Sequence, residues 1–119
     1  MNRKIGLWID HESAVVVAIT DDGEDISVVK AEISKRDLAK ADDVRQRVET
    51  EHLNIYYDEV IKSIGDCDSI FLIGPGEAKG ELQKRLEKAK FGKLTVSVEP
   101  ADKMTEPQIA AKVRDYYIF

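Results

Sequence analysis

Residues 69–86 read SIFLIGPGEAKGELQKRL. Ser69 to Ile73 is an apolar run that predicts a buried strand. Gly74-Pro75-Gly76 follows at once, and Ala78, Leu82 and Leu86 then recur at helical spacing. A strand that enters a helix through so few residues must turn sharply. The two glycines give the backbone that freedom and let the helix pack close to the sheet. Strand, corner and helix together are the unit from which parallel strands are built, because a parallel neighbour can be reached only by a crossover.

The same logic extends in both directions. Downstream, Ala89 prolongs the apolar stripe, Gly92 ends the helix, and Leu94 to Val98 predicts another strand. Thr105-Glu106-Pro107-Gln108 is a capping box with proline in the first turn, and Ile109, Val113 and Tyr116 or Tyr117 carry a last helix onward. Upstream, Leu53, Tyr56, Tyr57, Val60, Ile61 and Ile64 share one helical face, with Gly65 at the position of a C-terminal cap. Ile5 to Ile9, Ala14 to Ile19 and Asp25 to Ile33 read as three strands joined by the turns Asp10-His11-Glu12-Ser13 and Asp21-Asp22-Gly23-Glu24. Such short connections predict an antiparallel meander. The order is β-β-β-α-β-α-β-α. With right-handed crossovers this gives an α/β fold, a mixed five-stranded sheet flanked by helices in the ribonuclease H-like arrangement.

Ser34 to His52 stands apart. It is rich in charge, including Lys35, Arg36, Arg45 and Arg47, and its only sizeable apolar residues are Leu38, Val44 and Val48. It reads as a polar loop over 34–52 whose first part is mobile. Val44 and Val48, four apart, mark the second part as a polar forerunner of the next helix.

Composition narrows the classes of function. A chain of 119 residues with 43% hydrophobic content is expected to form one domain spanning 1–119. The formal net charge of -5 argues against a protein whose whole surface grips nucleic acid. No apolar run reaches the roughly 18–20 residues of a membrane span. Met1-Asn2-Arg3-Lys4 is basic, but Ile5 to Ile9 is too short for a signal-peptide core. The single cysteine, Cys67, excludes an internal disulfide framework and a cysteine-rich zinc site. A cytoplasmic location is the expectation.

No complete catalytic set is visible. Ribonuclease H-type chemistry needs several carboxylates around two divalent ions. Asp10, at the end of the first strand, stands where a first metal ligand would, and Glu51, Asp58 or Glu59 offer a second. The third position, at the end of the strand 69–73, is taken by Gly74-Pro75-Gly76. Asp10 otherwise reads as a turn carboxylate that caps backbone N–H groups. The glycine corner followed by Lys79-Gly80-Glu81 departs from a phosphate-binding loop, which needs lysine followed by serine or threonine. His11 and His52 lack metal-ligand spacing.

Charge is concentrated on the helix after the corner. Between Glu77 and Lys93 there are six positive residues, Lys79, Lys84, Arg85, Lys88, Lys90 and Lys93, against three glutamates, a local +3. Such a patch can contact RNA phosphates. Glu77 and Glu81 with Arg85, and Lys84 with Lys88, equally read as neighbours on a solvated helix face. The ending Tyr116-Tyr117-Ile118-Phe119 is apolar, which implies packing on the sheet or a contact with another subunit.

Several segments together point to a family: Trp8-Ile9-Asp10-His11-Glu12-Ser13-Ala14, the helix 52–64, Ile70 to Lys79 with Glu81-Leu82, and Asp102 to Ile109. In this order they resemble the middle domain of the archaeal and eukaryotic peptide-chain release factor and of its relative Pelota. They are closer still to small bacterial relatives described as translational machinery proteins. In release factors the segment after the third strand carries the Gly-Gly-Gln tripeptide that promotes peptide hydrolysis. The corresponding residues here, 34–52, contain no glycine. The resemblance therefore implies a non-catalytic, translation-associated module that binds the ribosome, ribosomal RNA or a ribosomal factor, with no cofactor. Its expected contact residues are Lys79, Lys84, Arg85 and Lys88, with Lys35, Arg36, Arg45 and Arg47. Two alternatives accompany this reading: a divalent-metal-dependent nuclease or phosphate-ester hydrolase using Asp10, and a homo-oligomeric scaffold assembled through the apolar tail.

Overall fold

The structure is a computed structural model that describes residues 4–21, 23–31, 42–65, 67–89 and 94–118, with 42–50 and 118 described by their backbone. Among these residues the order is β1 (Lys4–Ile9), β2 (Ser13–Thr20), β3 (Gly23–Lys30), α1 (Asp42–Ile64), β4 (Ser69–Gly74), α2 (Ala78–Ala89), β5 (Thr95–Pro100) and α3 (Glu106–Ile118). The five strands form one sheet in the order β3-β2-β1-β4-β5. β1 pairs antiparallel with β2, and β2 with β3. β4 runs parallel to both β1 and β5. This is the mixed ribonuclease H-like sheet that the element order predicts.

Local chemistry explains the turns. Asp10 folds its carboxylate back, and Oδ1 accepts the N–H groups of Glu12 and Ser13 at 2.8 Å each. Its own N–H donates to the Ser13 carbonyl at 3.0 Å. The turn thus satisfies itself and sets the β1–β2 register. At the corner after β4, Gly74 has φ 152° and a Cβ there would fall on the Ile9 carbonyl oxygen, so both backbone conformation and space demand glycine. The capping box forms as the sequence implies. The Thr105 N–H donates to Gln108 Oε1 at 2.9 Å, and the Gln108 N–H to Thr105 Oγ1 at 3.3 Å.

The sheet separates two apolar layers. On one face Ile5, Leu7, Ile9, Val16, Ile70 and Leu72 meet Tyr56, Tyr57, Val60 and Ile64 of α1 and Ala78, Leu82 and Leu86 of α2. On the other, Trp8, Val15, Val17, Phe71 and Ile73 meet Ile109, Ala110 and Val113 of α3. Alternation along each strand makes this division, since successive side chains point to opposite faces. β1 lacks a side chain at Gly6 because α3 needs the room: a Cβ there would overlap the Val113 side chain.

The structure differs from the sequence reading at α1, β3, β5 and Ala89. Residues 42–52, expected as loop and polar forerunner, are helix, so α1 runs 23 residues from Asp42. This stretch has no glycine or proline and opens on acidic residues that favour a helix start. An apolar stripe is a sign of burial, and a helix can extend beyond the surface it buries. β3 is Gly23–Lys30 instead of 25–33, closed by the Ala31 N–H to the Glu12 carbonyl at 2.9 Å. β5 extends to Pro100. Ala89, placed on the buried stripe of α2, is exposed. The expected mobile first part of the 34–52 segment, and Gly92, fall on residues outside those described.

The apolar ending is tied to its own sheet at two tyrosines. The Tyr116 ring stacks on Phe71 with centroids 4.0 Å apart, and its hydroxyl donates to Ser97 Oγ at 2.7 Å. The Tyr117 hydroxyl donates to the Ile5 carbonyl at 2.7 Å. Among the described residues no helix is long and apolar enough to cross a membrane.

Candidate functional site: the groove between α1 and α2

In open α/β sheets the carboxyl ends of the parallel strands are where loops and helix starts converge. Here the ends of β1 and β4 bring together the β1–β2 turn, the glycine corner and the facing sides of α1 and α2. Glu81, in the first turn of α2, is the hub. Its Oε1 accepts the Tyr57 hydroxyl at 2.6 Å, and His11 Nε2 lies 3.3 Å from both carboxylate oxygens. Burial above all pushes the Tyr57 phenol well above the usual tyrosine range. Its hydrogen bond to Glu81 and the charge of that carboxylate act in the same direction, and Arg85 opposes them. Tyr56, the next residue, donates to the Asp10 carbonyl at 3.0 Å and is raised by burial first and by the Asp10 charge second.

Arg85, one turn beyond Glu81, reaches across to α1. Its guanidinium lies 5.2 Å from the Tyr57 ring centroid, donates to Asn54 Oδ1, and stands 3.8 Å from Asp58 Oδ1. Stacking on an aromatic ring suits the flat, weakly hydrated guanidinium and leaves its charge presented to the groove. The sequence reading of Arg85 as a partner of Glu77 and Glu81 along α2 is therefore corrected. Contacts across 31 positions to Asn54 replace those one turn away, because α1 lies within reach of the longer side chain.

Between the helices lies an open groove of about 940 Å³, bordered by Leu53, Asn54 and Tyr57 on α1 and by Glu81, Lys84, Arg85, Glu87 and Lys88 on α2. Three of the basic residues singled out in the sequence therefore share one surface. Lys79 does not join them: its Nζ donates to the Gly76 carbonyl at 2.6 Å and braces the corner. Arg45 and Arg47 lie on the N-terminal half of α1, described by backbone, and Lys35 and Arg36 lie outside the described residues. Gly74, Pro75 and Gly76 lie in the short turn from β4 to α2, with positive φ at both glycines. Asp10 is occupied by backbone N–H groups of its own turn. Among the described residues, no three of His, Cys, Asp and Glu gather as metal ligands would. His52 borders a different groove, between α1 and β3, so the two histidines belong to separate surfaces.

Sequence reasoning missed Asn54, Tyr57 and Glu81 as members of this site. One signal was present. Tyr57 sits at the edge of an apolar helical face, and a buried phenol needs a hydrogen-bond partner.

Fold and groove define an α/β module of the mixed-sheet class with a charged cleft between two helices on one face. Among solved structures the chain is similar to the Thermoplasma acidophilum Pelota protein, with a TM-score of 0.58 and 17% sequence identity over 89% of this chain. The chain spans about 30% of the length of that protein. The fold is thus Pelota-like. No family model matches the chain, and no curated protein matches it in sequence.

Proposed function

We propose that this chain is a non-catalytic, translation-associated binding module that docks on the ribosome, through ribosomal RNA or a ribosomal factor, by the α1–α2 groove. The observation that carries the reading is the Pelota-like fold across 89% of the chain. The closer kinship we propose is with the middle domain shared by Pelota and the peptide-chain release factor, in the cytoplasmic form of small bacterial relatives. The sequence holds no Gly-Gly-Gln, so release chemistry is not part of the proposal. Lys84, Arg85 and Lys88 outnumber Glu81 and Glu87 on one side of the groove and leave it net positive, and Arg85 is held in place by Tyr57 and Asn54. Binding to RNA phosphates displaces counterions and must weaken with salt.

The test is co-sedimentation of the purified chain with ribosomes. Binding is expected at low ionic strength and is expected to fall steeply as salt rises. Lys84→Glu together with Lys88→Glu should lower it at every salt concentration. No co-sedimentation at low salt would refute the reading.

A further inference from the structure

β3 is an edge strand of unusual regularity. All eight of its residues pair with β2 in an unbroken register, with no bulge, and the strand contains no proline. Among the described residues nothing pairs with its outer side. Proteins commonly blunt such edges with bulges, prolines, charged side chains or very short strands, because exposed N–H and C=O groups recruit another strand; β3 has charges only toward its ends, at Glu24, Asp25 and Lys30, and none from Ile26 to Val29. This edge also carries two apolar side chains in solvent: Ile26 is 42% exposed and Val28 45%. Both lie on the α3 face, since their partners in β2 are Val17 and Val15, which pack under α3.

The sequence of β3 is complementary to itself. Set two copies antiparallel with Ser27 opposite Ser27. Ile26 then faces Val28 of the second copy, and Glu24, which already holds Arg114 of its own chain at 2.6 Å, faces its Lys30, each pair occurring twice by symmetry. All four residues lie on one face of the strand. Cross-strand apolar pairs and opposite charges are the contacts that stabilise antiparallel neighbours. A two-fold axis normal to the sheet would run through Ser27, giving an isologous interface.

The other face agrees. α1 rests across β2 and β3, and its residues Ile55, Tyr56 and Glu59 border an open groove of about 800 Å³ with Val29, the β3 side chain that points to this face. Ile55 is 57% exposed, the most exposed of the large apolar residues described. Joining β3 to β3 would place the two α1 helices roughly 10 Å apart, the ordinary distance between packed helices.

We propose that two copies of this chain join edge to edge through β3, forming a continuous ten-stranded sheet with the α1 helices side by side and Ile55 between them. The proposal is independent of the ribosome-binding reading, which uses the α1–α2 groove.

Two experiments on the full chain test it. In sedimentation equilibrium the wild-type chain should associate to a dimer. Lys30→Glu, an exposed change, should weaken the dimer about tenfold by opposing two pairs of like charges, and Ile26→Lys, at a residue 42% exposed in the single copy, should weaken it independently by placing a charge in both apolar pairs. Under mild oxidation Ser27→Cys should give a covalent dimer, since directly opposite residues fall within disulfide range. Asp25→Cys should not, because its symmetry mate is four residues further along. Cys67 is present in both variants and contributes equally. A monomer at every concentration up to about 1 mM would overturn the proposal, taking the upper range at which weak association is measurable. A dimer indifferent to Lys30→Glu, or equal cross-linking of the two cysteine variants, would do the same.

Discussion

The two faces of the sheet are covered differently. The α1–α2 face has two helices, a core that spans all five strands from Val29 to Val98, and a polar network along the helix seam. The α3 face has one helix over the centre of the sheet, seated on Gly6, and it leaves Ile26 and Val28 in solvent. The first face holds itself together by breadth and keeps a wet, charged cleft between its helices. The second relies on one close approach. A binding surface of defined charge can be built between two helices, where side chains from each fix the other, as Tyr57 and Asn54 fix Arg85. A single helix over a flat sheet offers no such seam.

This contrast is sharpest at Gly6. Gly6→Val would drive a branched side chain into Val113 and should destabilise the fold by about 3 kcal/mol, read as a lower urea midpoint. Adding Val113→Ala should recover roughly half of that loss, because the two sites share one volume. If Gly6→Val were neutral, the close seating of α3 would be wrong.

High pH probes both faces at once. Tyr56 and Tyr57 on one face and Tyr117 on the other all have phenols raised by burial. A raised phenol loses its proton more readily in the unfolded chain. Its contribution is therefore complete below the unfolded value of about 10 and is lost as pH climbs beyond it. Unfolding free energy should be flat with respect to these groups at neutral pH and fall steadily above about pH 10. Tyr56→Phe and Tyr117→Phe should each reduce that slope. Of the two, Tyr56→Phe should have the larger effect, since the Asp10 charge adds to burial at Tyr56 whereas hydrogen bonds oppose burial at Tyr117.

A narrower change separates the groove network from the core beneath it. Tyr57→Phe keeps the ring under Arg85 but removes the hydroxyl from Glu81. It should cost about 1 kcal/mol, and the loss should be smaller in a Glu81→Gln background, as a double-mutant cycle would show. The smallest effect is expected at the rim of the α3 face. There Arg114 meets Glu24 at 2.6 Å with the arginine half exposed. Arg114→Ala should cost only about 0.5 kcal/mol, and the loss should shrink further in high salt. A larger value would mean that this ion pair, and not Gly6 alone, anchors α3.

Much of the fold was legible because it is written in short-range patterns. Runs of Val and Ile, the glycine corner, the Thr105–Gln108 box and the Tyr56–Ile64 face each depend on residues within one or two turns. The N-terminal half of α1 was less legible, since a helix that extends past the core carries no apolar stripe. Of the candidate site, the basic residues of α2 could be read from the sequence, but their selection could not. Lys79 turns back to Gly76, while Arg85 turns across to α1.

Alone, the sequence determined the order of elements, the turns and the mixed sheet, because hydrophobic period and backbone preference act locally. Only the tertiary structure decided that His11 and Glu81, 70 positions apart, would share a site. The same holds for Gly6 lying beneath Val113 and for β3 taking the edge of the sheet among the described residues. Those outcomes follow from which surfaces meet once the helices close on the sheet, and no local pattern records that distance.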